Sequence, residues 1–219
     1  MRLNIKNARI KTSLLFTFIS LLFVSSWSFA YNGPAQGPAR GMDEAPTYTT
    51  PSDPGYVIYT TLEKITTFSS NSDKVSPVKL RGFIENEIIP HFDFDNMSHW
   101  ITGRYARNMS DQDKAAFQRN LRETFLTSLS KHLGSFDAKN THVKFQKTRY
   151  RGPDESFVST EVLRPDTMPV HLDFRMRREG DDWKIIDVKA NGSSAVLYYR
   201  RHFIAELRAY DRQSRPRPY

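Results

Sequence analysis

The chain changes its hydrophobic period twice. As far as about residue 134, apolar positions recur every three or four residues, the spacing of an amphipathic helix. Val57 to Phe68 is predicted as a first helix with Pro54 near its start, although its threonines are weak helix formers. Ser76-Pro77 opens a second, with Leu80, Ile84 and Ile88 at four-residue steps and Pro90 ending it. Phe92-Asp93-Phe94-Asp95 leads into a short third helix that stops near Gly103. Ser110 is placed to cap a long fourth helix, with Asp111 and Asp113 in its first turn where the helix dipole favours them. That helix carries Phe117, Leu121, Phe125, Leu129 and Leu133, and Gly134 is expected to stop it.

From residue 143 the period becomes two, the mark of half-buried strands. Val143 and Phe145 alternate with Lys144 and Gln146, and Phe157 to Leu163 reads as a second strand. Val170, Leu172, Phe174 and Met176 alternate with His171, Asp173, Arg175 and Arg177. Glu179-Gly180-Asp181-Asp182 turns that strand back into Trp183 to Val188, which makes a hairpin. After Gly192 the helical period returns, with Val196, Tyr199, Phe203, Leu207 and Tyr210 on one side. The order is helices, an antiparallel meander, then a helix. This predicts an α+β fold with helices packed on one face of a four-stranded antiparallel sheet. Parallel βαβ alternation is absent, which argues against nucleotide-binding folds.

The ends follow other rules. Arg2, Lys6, Arg9 and Lys11 precede an apolar stretch from Leu14 to Val24, and Ser28-Phe29-Ala30 is a small-x-small cleavage site. Residues 1–30 are therefore expected to be a secretory signal cleaved after Ala30. The apolar run is short for a membrane anchor, which needs about 20 residues. Residues 31–53, rich in Pro, Gly and Thr, read as a flexible leader, residues 54–210 as the folded domain, and 211–219 as a basic flexible tail. The formal charge is +8, and losing residues 1–30 lowers it to +4. A secreted chain with so modest a basic excess is not expected to bind nucleic acid. There is no cysteine, hence no thiol nucleophile, no thiolate metal site and no lipid-modified cysteine.

Catalytic signals are weak. His91 and His99 lie near Asp93 and Asp95, which raises a metal cluster or an enzyme using His91, Asp93 or Asp95. A polar helix junction, with Asp95 capping the next helix, is the preferred reading, because no close metal pair such as HExxH is formed. Gly192-Ser193-Ser194 lacks the G-x-S-x-G frame and reads as a helix cap. A pocketless adaptor for other envelope proteins is the other alternative. No cofactor is expected.

Two blocks carry a family resemblance. The first is Ile88-Ile89-Pro90-His91-Phe92-Asp93-Phe94 followed by Ile101-Thr102-Gly103-Arg104-Tyr105, with Ser110-Asp111-Gln112-Asp113 and Phe117 after it. The second is Asp182-Trp183-Lys184-Ile185-Ile186-Asp187-Val188, then Asn191-Gly192-Ser193-Ser194 and Tyr199-Arg200-Arg201-His202-Phe203. In order and spacing they resemble the MlaC, or toluene-tolerance, family of periplasmic phospholipid-binding proteins. Ala195 departs from the family's bulkier apolar residues at that place, and the turn Arg164-Pro165-Asp166-Thr167 is also unfamiliar. The resemblance implies a monomeric, non-enzymatic periplasmic carrier that takes the two acyl chains of a phospholipid into an apolar pocket between sheet and helices. It also implies transient docking on an outer-membrane lipoprotein complex and on an inner-membrane ABC transporter with an MCE-domain subunit. The candidate walls are Val143, Phe145, Val170, Leu172 and Phe174 of the sheet and Leu121, Phe125 and Leu129 of the long helix. Leu80 and Ile84 of the second helix and Ile186 and Val188 of the fourth strand complete them. With no convergent basic cluster for a phosphate, the headgroup is expected to remain in solvent and to be weakly selected.

Overall fold

The computed structural model describes residue 50 and residues 52–70, 76–134, 136–165 and 167–213. The expected signal segment, nearly all of the leader and the end of the tail lie outside the described residues.

Helix α1 (Pro54–Ser70) starts where the Asp53 carboxylate accepts the Gly55 N–H at 2.7 Å. Helix α2 (Pro77–Phe83) is capped by Ser76, which accepts the Lys79 N–H, and has Pro77 in its first turn. The expected second helix does not run straight to Pro90. It widens into a π-turn over Ile84–Ile88 and closes with a 3₁₀ turn over Ile89–His91. A proline has no N–H and its ring excludes the carbonyl four residues back, so the backbone before Pro90 cannot keep the regular ladder. Helix α3 (Phe94–Thr102) is capped by Asp93, which accepts the Asn96 N–H at 2.9 Å. The capping residue is therefore Asp93, not Asp95, which is exposed in the first turn. Helix α4 (Asp111–Leu133) begins on the Ser110 hydroxyl, an acceptor for the Asp113 N–H.

The sheet contains β1 (His142–Phe145), β2 (Arg149–Tyr150), β3 (Glu155–Leu163), β4 (Val170–Glu179), β5 (Asp182–Ala190) and β6 (Ser193–Ser194). It is antiparallel in the order β1-β3-β4-β5-β6, with the two-residue β2 also on β3. The fold is α+β as the pattern predicts, and the sheet is the expected four strands plus these two short additions. Glu179 pairs with Asp182 across a tight turn in which Gly180 takes φ 61°, a conformation that favours glycine. Helix α5 (Ala195–Gln213) continues into the segment read from sequence as tail. It is seated by Asp187, whose buried carboxylate accepts the Ser194 hydroxyl at 2.6 Å and the Val196 N–H at 3.1 Å. The Ser194 hydroxyl in turn accepts the Leu197 N–H at 3.1 Å, so this serine is a helix cap.

The apolar interior falls into two packed clusters. One joins the helices through residues such as Ile84, Phe94, Ile101, Leu126 and Phe203. The other lies on the sheet and includes Ile58, Val158, Met176 and Ile185. Leu62 and Phe92 pack against both and form the seam. Phe92 also pairs with Ile185 as a parallel bridge, and the Asp93 N–H reaches the Ile185 carbonyl at 3.0 Å, which ties the helical layer to the β5 edge.

Candidate functional site

The two clusters do not close completely. Between them is a cavity of about 180 Å³ whose walls come from both layers. Helix α1 contributes Ile58, Thr61, Leu62, Ile65 and Thr66. The lining threonines spend their hydroxyls on their own helix: Thr61 donates to the Val57 carbonyl and Thr66 to the Leu62 carbonyl. Thus even the polar positions present methyl groups without an unmet donor. Helix α4 supplies Leu121, Phe125, Leu129 and Leu133, and the sheet supplies Val143, Val162, Val170, Phe174, Ile185 and Val188.

Burial is graded along this space. Ile58, Ile88, Met97, Ile185 and Tyr199 are almost wholly buried. Phe136, Val143, Val162, Arg164 and Val170 are half-buried and Thr66 is exposed. The mouth is therefore at the end of the sheet where β1 and β4 begin and β3 ends. Arg164 stands there as the one charged side chain among the described lining residues. At the deep end the Tyr199 phenol is pushed up to about 12, first by burial and then by Tyr198, so it is neutral at any physiological pH. Apart from Arg164 at the mouth, the walls are suited to apolar rather than charged groups.

Of the walls named from sequence, Leu121, Phe125, Leu129, Val143, Val170, Phe174 and Val188 line the cavity. Leu80 and Ile84 do not: both are buried within the helical cluster. Phe145 and Leu172 lie on the same row of the sheet as Thr160, and pack against the sheet cluster instead. The Phe145 ring meets Tyr59 at 5.7 Å between centroids. Ile186 is displaced by a β-bulge. Phe174 pairs with Val188 and Arg175 with Asp187, but Met176 then pairs with Ile185, so Ile186 is the extra residue. The bulge changes the phase of β5, which brings Ile185 and Val188 to the same wall although strict alternation forbids it.

Other lining positions were not named from the pattern. Ile58, Leu62 and Ile65 have helical spacing, a signal that was visible in α1. Met97, Phe136, Ala195 and Tyr199 come from separate elements and only the packing brings them together. Ala195, the first residue of α5, is part of the wall.

The catalytic alternative has little assembled chemistry. Asp93 is committed to capping α3. Burial, with Lys64 and Lys184 adding to it, pushes His91 below its usual pKa. Among the described residues no group of three or more His, Asp or Glu is placed to hold a metal ion. The Ser194 hydroxyl proton is given to Asp187.

The sequence model for the MlaC protein matches residues 59–214. The chain belongs to the MlaC family. A phospholipid-binding protein from Ralstonia solanacearum, solved in complex with a phospholipid, shares this fold at a TM-score of 0.60. It is 18% identical, and the match covers 70% of this chain and 86% of that one. No curated protein matches the chain by sequence. Among the described residues of this MlaC-family chain, no helix is long and apolar enough to cross a membrane.

Proposed function

We propose that this MlaC-family protein is a periplasmic phospholipid carrier. It is released after removal of residues 1–30, and it moves lipid between an outer-membrane lipoprotein complex and an inner-membrane ABC transporter with an MCE-domain subunit, in support of envelope lipid asymmetry. The observation that carries the reading is the apolar cavity between helices and sheet, open at one end.

The energetics favour a carrier over a tight binder. An acyl chain of about 16 carbons gains on the order of 0.8 kcal/mol per CH₂ on leaving water, so two chains gain roughly 25 kcal/mol. That exceeds the limit of about 18–21 kcal/mol for non-covalent affinity. The protein needs only to match the bilayer, with an interior of comparable apolarity and direct hand-over at a docked mouth. Its resting volume of about 180 Å³ exceeds the cavity of about 150 Å³ that accepts benzene, enough for part of a tail. Burying two full tails requires the two clusters to part along the seam at Leu62 and Phe92. The headgroup stays at the mouth, outside the cavity.

Organic extraction and mass spectrometry of protein purified from its own envelope test this. Two-chain lipids with mixed headgroups are expected. Protein that folds but yields no lipid would overturn the carrier reading, and a single dominant headgroup would overturn the exposed-headgroup part.

A further inference from the structure

Where α3 and α5 pass the outward face of β4, three elements gather positive charge around one exposed tryptophan. Arg175 and Arg177 alternate along β4 with the inward Phe174 and Met176, so they face outward. Trp100 of α3 is 41% exposed, and the Arg175 guanidinium lies 4.9 Å from its ring centroid. Arg175 is also ion-paired with Glu155 at 2.8 Å, and Asp187, opposite it in the β4–β5 register, is spent on seating α5. Arg177 and Arg200 are different. Arg177 donates to the Asn96 side-chain carbonyl at 3.1 Å and Arg200 to the Trp100 backbone carbonyl at 3.3 Å. Both acceptors are neutral, and among the described residues neither arginine makes an ion pair.

The geometry holds these groups in place. Gly103 takes φ 52°, and Arg200 lies across it so closely that a Cβ there would sit 3.1 Å from Nη2. Lys184, opposite Arg177 in the β4–β5 register, is a neighbouring cation whose ammonium donates to the Pro90 carbonyl at 3.0 Å, outside the cleft. Like charges directly across a sheet repel; Glu155, opposite Arg177 on its other side, is ion-paired with Arg175. Asn96, His99, Trp100, Gly103, Arg177 and Arg200 border a shallow cleft of about 500 Å³. Leu197, one helical turn before Arg200, is 54% exposed and adds a second apolar spot.

We propose that this face is a docking surface for a protein partner, and that it takes a segment in which carboxylates alternate with apolar side chains. Guanidinium groups with free N–H donors engage carboxylates in a planar, two-pronged fashion. Tryptophan and arginine are the side chains that most often dominate interface energies. A small free anion has no use for the Trp100 and Leu197 surface, and the cleft is too open to enclose one. Val170 at the mouth and Arg177 are separated by about 23 Å at roughly 3.3 Å per residue, so a partner seated here leaves the mouth clear. The proposal stands on charge and geometry and does not rest on the lipid reading.

The test uses the full secreted chain and a fluorescent dodecapeptide alternating Glu, Asp and Leu, followed by anisotropy at low salt and by the tryptophan indole N–H signals in NMR. Saturable binding is expected, with the Trp100 signal shifting and the Trp183 signal unmoved. Arg177→Gln with Arg200→Gln should weaken binding about tenfold or more, and Trp100→Ala should weaken it comparably. Lys139→Gln with Lys147→Gln removes the same charge elsewhere and should change it less than about twofold. Should the glutamine pair fail to fold, Arg177→Lys with Arg200→Lys keeps the charge and should give an intermediate loss. Equal weakening by the two charge-removing pairs would overturn the proposal. So would displacement of the peptide by inorganic phosphate at matched anion concentration, or by phosphatidylglycerol vesicles.

Discussion

Replacing Ala195 with phenylalanine separates a hollow interior from a filled one, because the two cases give opposite signs. Ala195 is the first residue of α5, is half-buried, and borders the cavity. A benzene ring fits a void of about 150 Å³, so one phenyl group would consume most of the 180 Å³ present. Burying the side chain gains about 2 kcal/mol. The lower helix propensity of phenylalanine costs about 0.5 kcal/mol. The delipidated variant is therefore expected to be more stable by about 1–2 kcal/mol, which for a chain of this size raises Tm by roughly 2–8 °C. Its lipid content should fall several-fold. The assay is urea unfolding of delipidated protein, since bound lipid raises apparent stability by mass action, together with lipid quantified per mole of protein before delipidation. A loss of about 1–3 kcal/mol, the usual consequence of overpacking, with lipid content unchanged would refute the reasoning. Unchanged lipid content in a stabilised variant would place the lipid elsewhere.

Two further outcomes follow from groups outside the cavity. Asp187→Ala strips the acceptor from the Ser194 hydroxyl and the Val196 N–H, leaving both donors buried; a loss of about 3 kcal/mol in urea unfolding is expected, and a loss under about 1 kcal/mol would show that the carboxylate does not seat α5. Burial, reinforced by Lys64 and Lys184 and opposed by Glu87 and Asp182, lowers the pKa of His91 from 6.5. The unfolded chain therefore binds this proton at a higher pH than the folded one, so stability present above 6.5 declines as pH falls through 6.5 towards the folded value. His91→Gln should flatten the change in urea midpoint between about pH 7.5 and about pH 5. Burial pushes His132 the same way, so some slope should persist; an unaltered slope would count against His91.

The sequence by itself determined the elements and their order. Periods of four and two residues, the caps at Ser76 and Ser110 and the turn at Gly180 are local, since each depends on neighbours within a few positions. The same locality made the α4 stripe and the inward face of β4 legible as walls. Local reading failed at particular places. The bulge at Ile186 shifted the phase of β5, and the π-turn before Pro90 widened the second helix beyond its expected regular form. Leu80 and Ile84 have the spacing of wall residues but are consumed in packing helix against helix. Hydrophobic periodicity marks which side chains leave water, and is silent on whether they touch each other or stop short. That difference, a gap of about 180 Å³ between two clusters, is a matter of how two layers are held apart, and only the tertiary structure decides it. The gathering of Arg177, Arg200 and Trp100 from three elements has the same origin: no spacing along the chain brings them together, and the packing of α3 and α5 beside the sheet does.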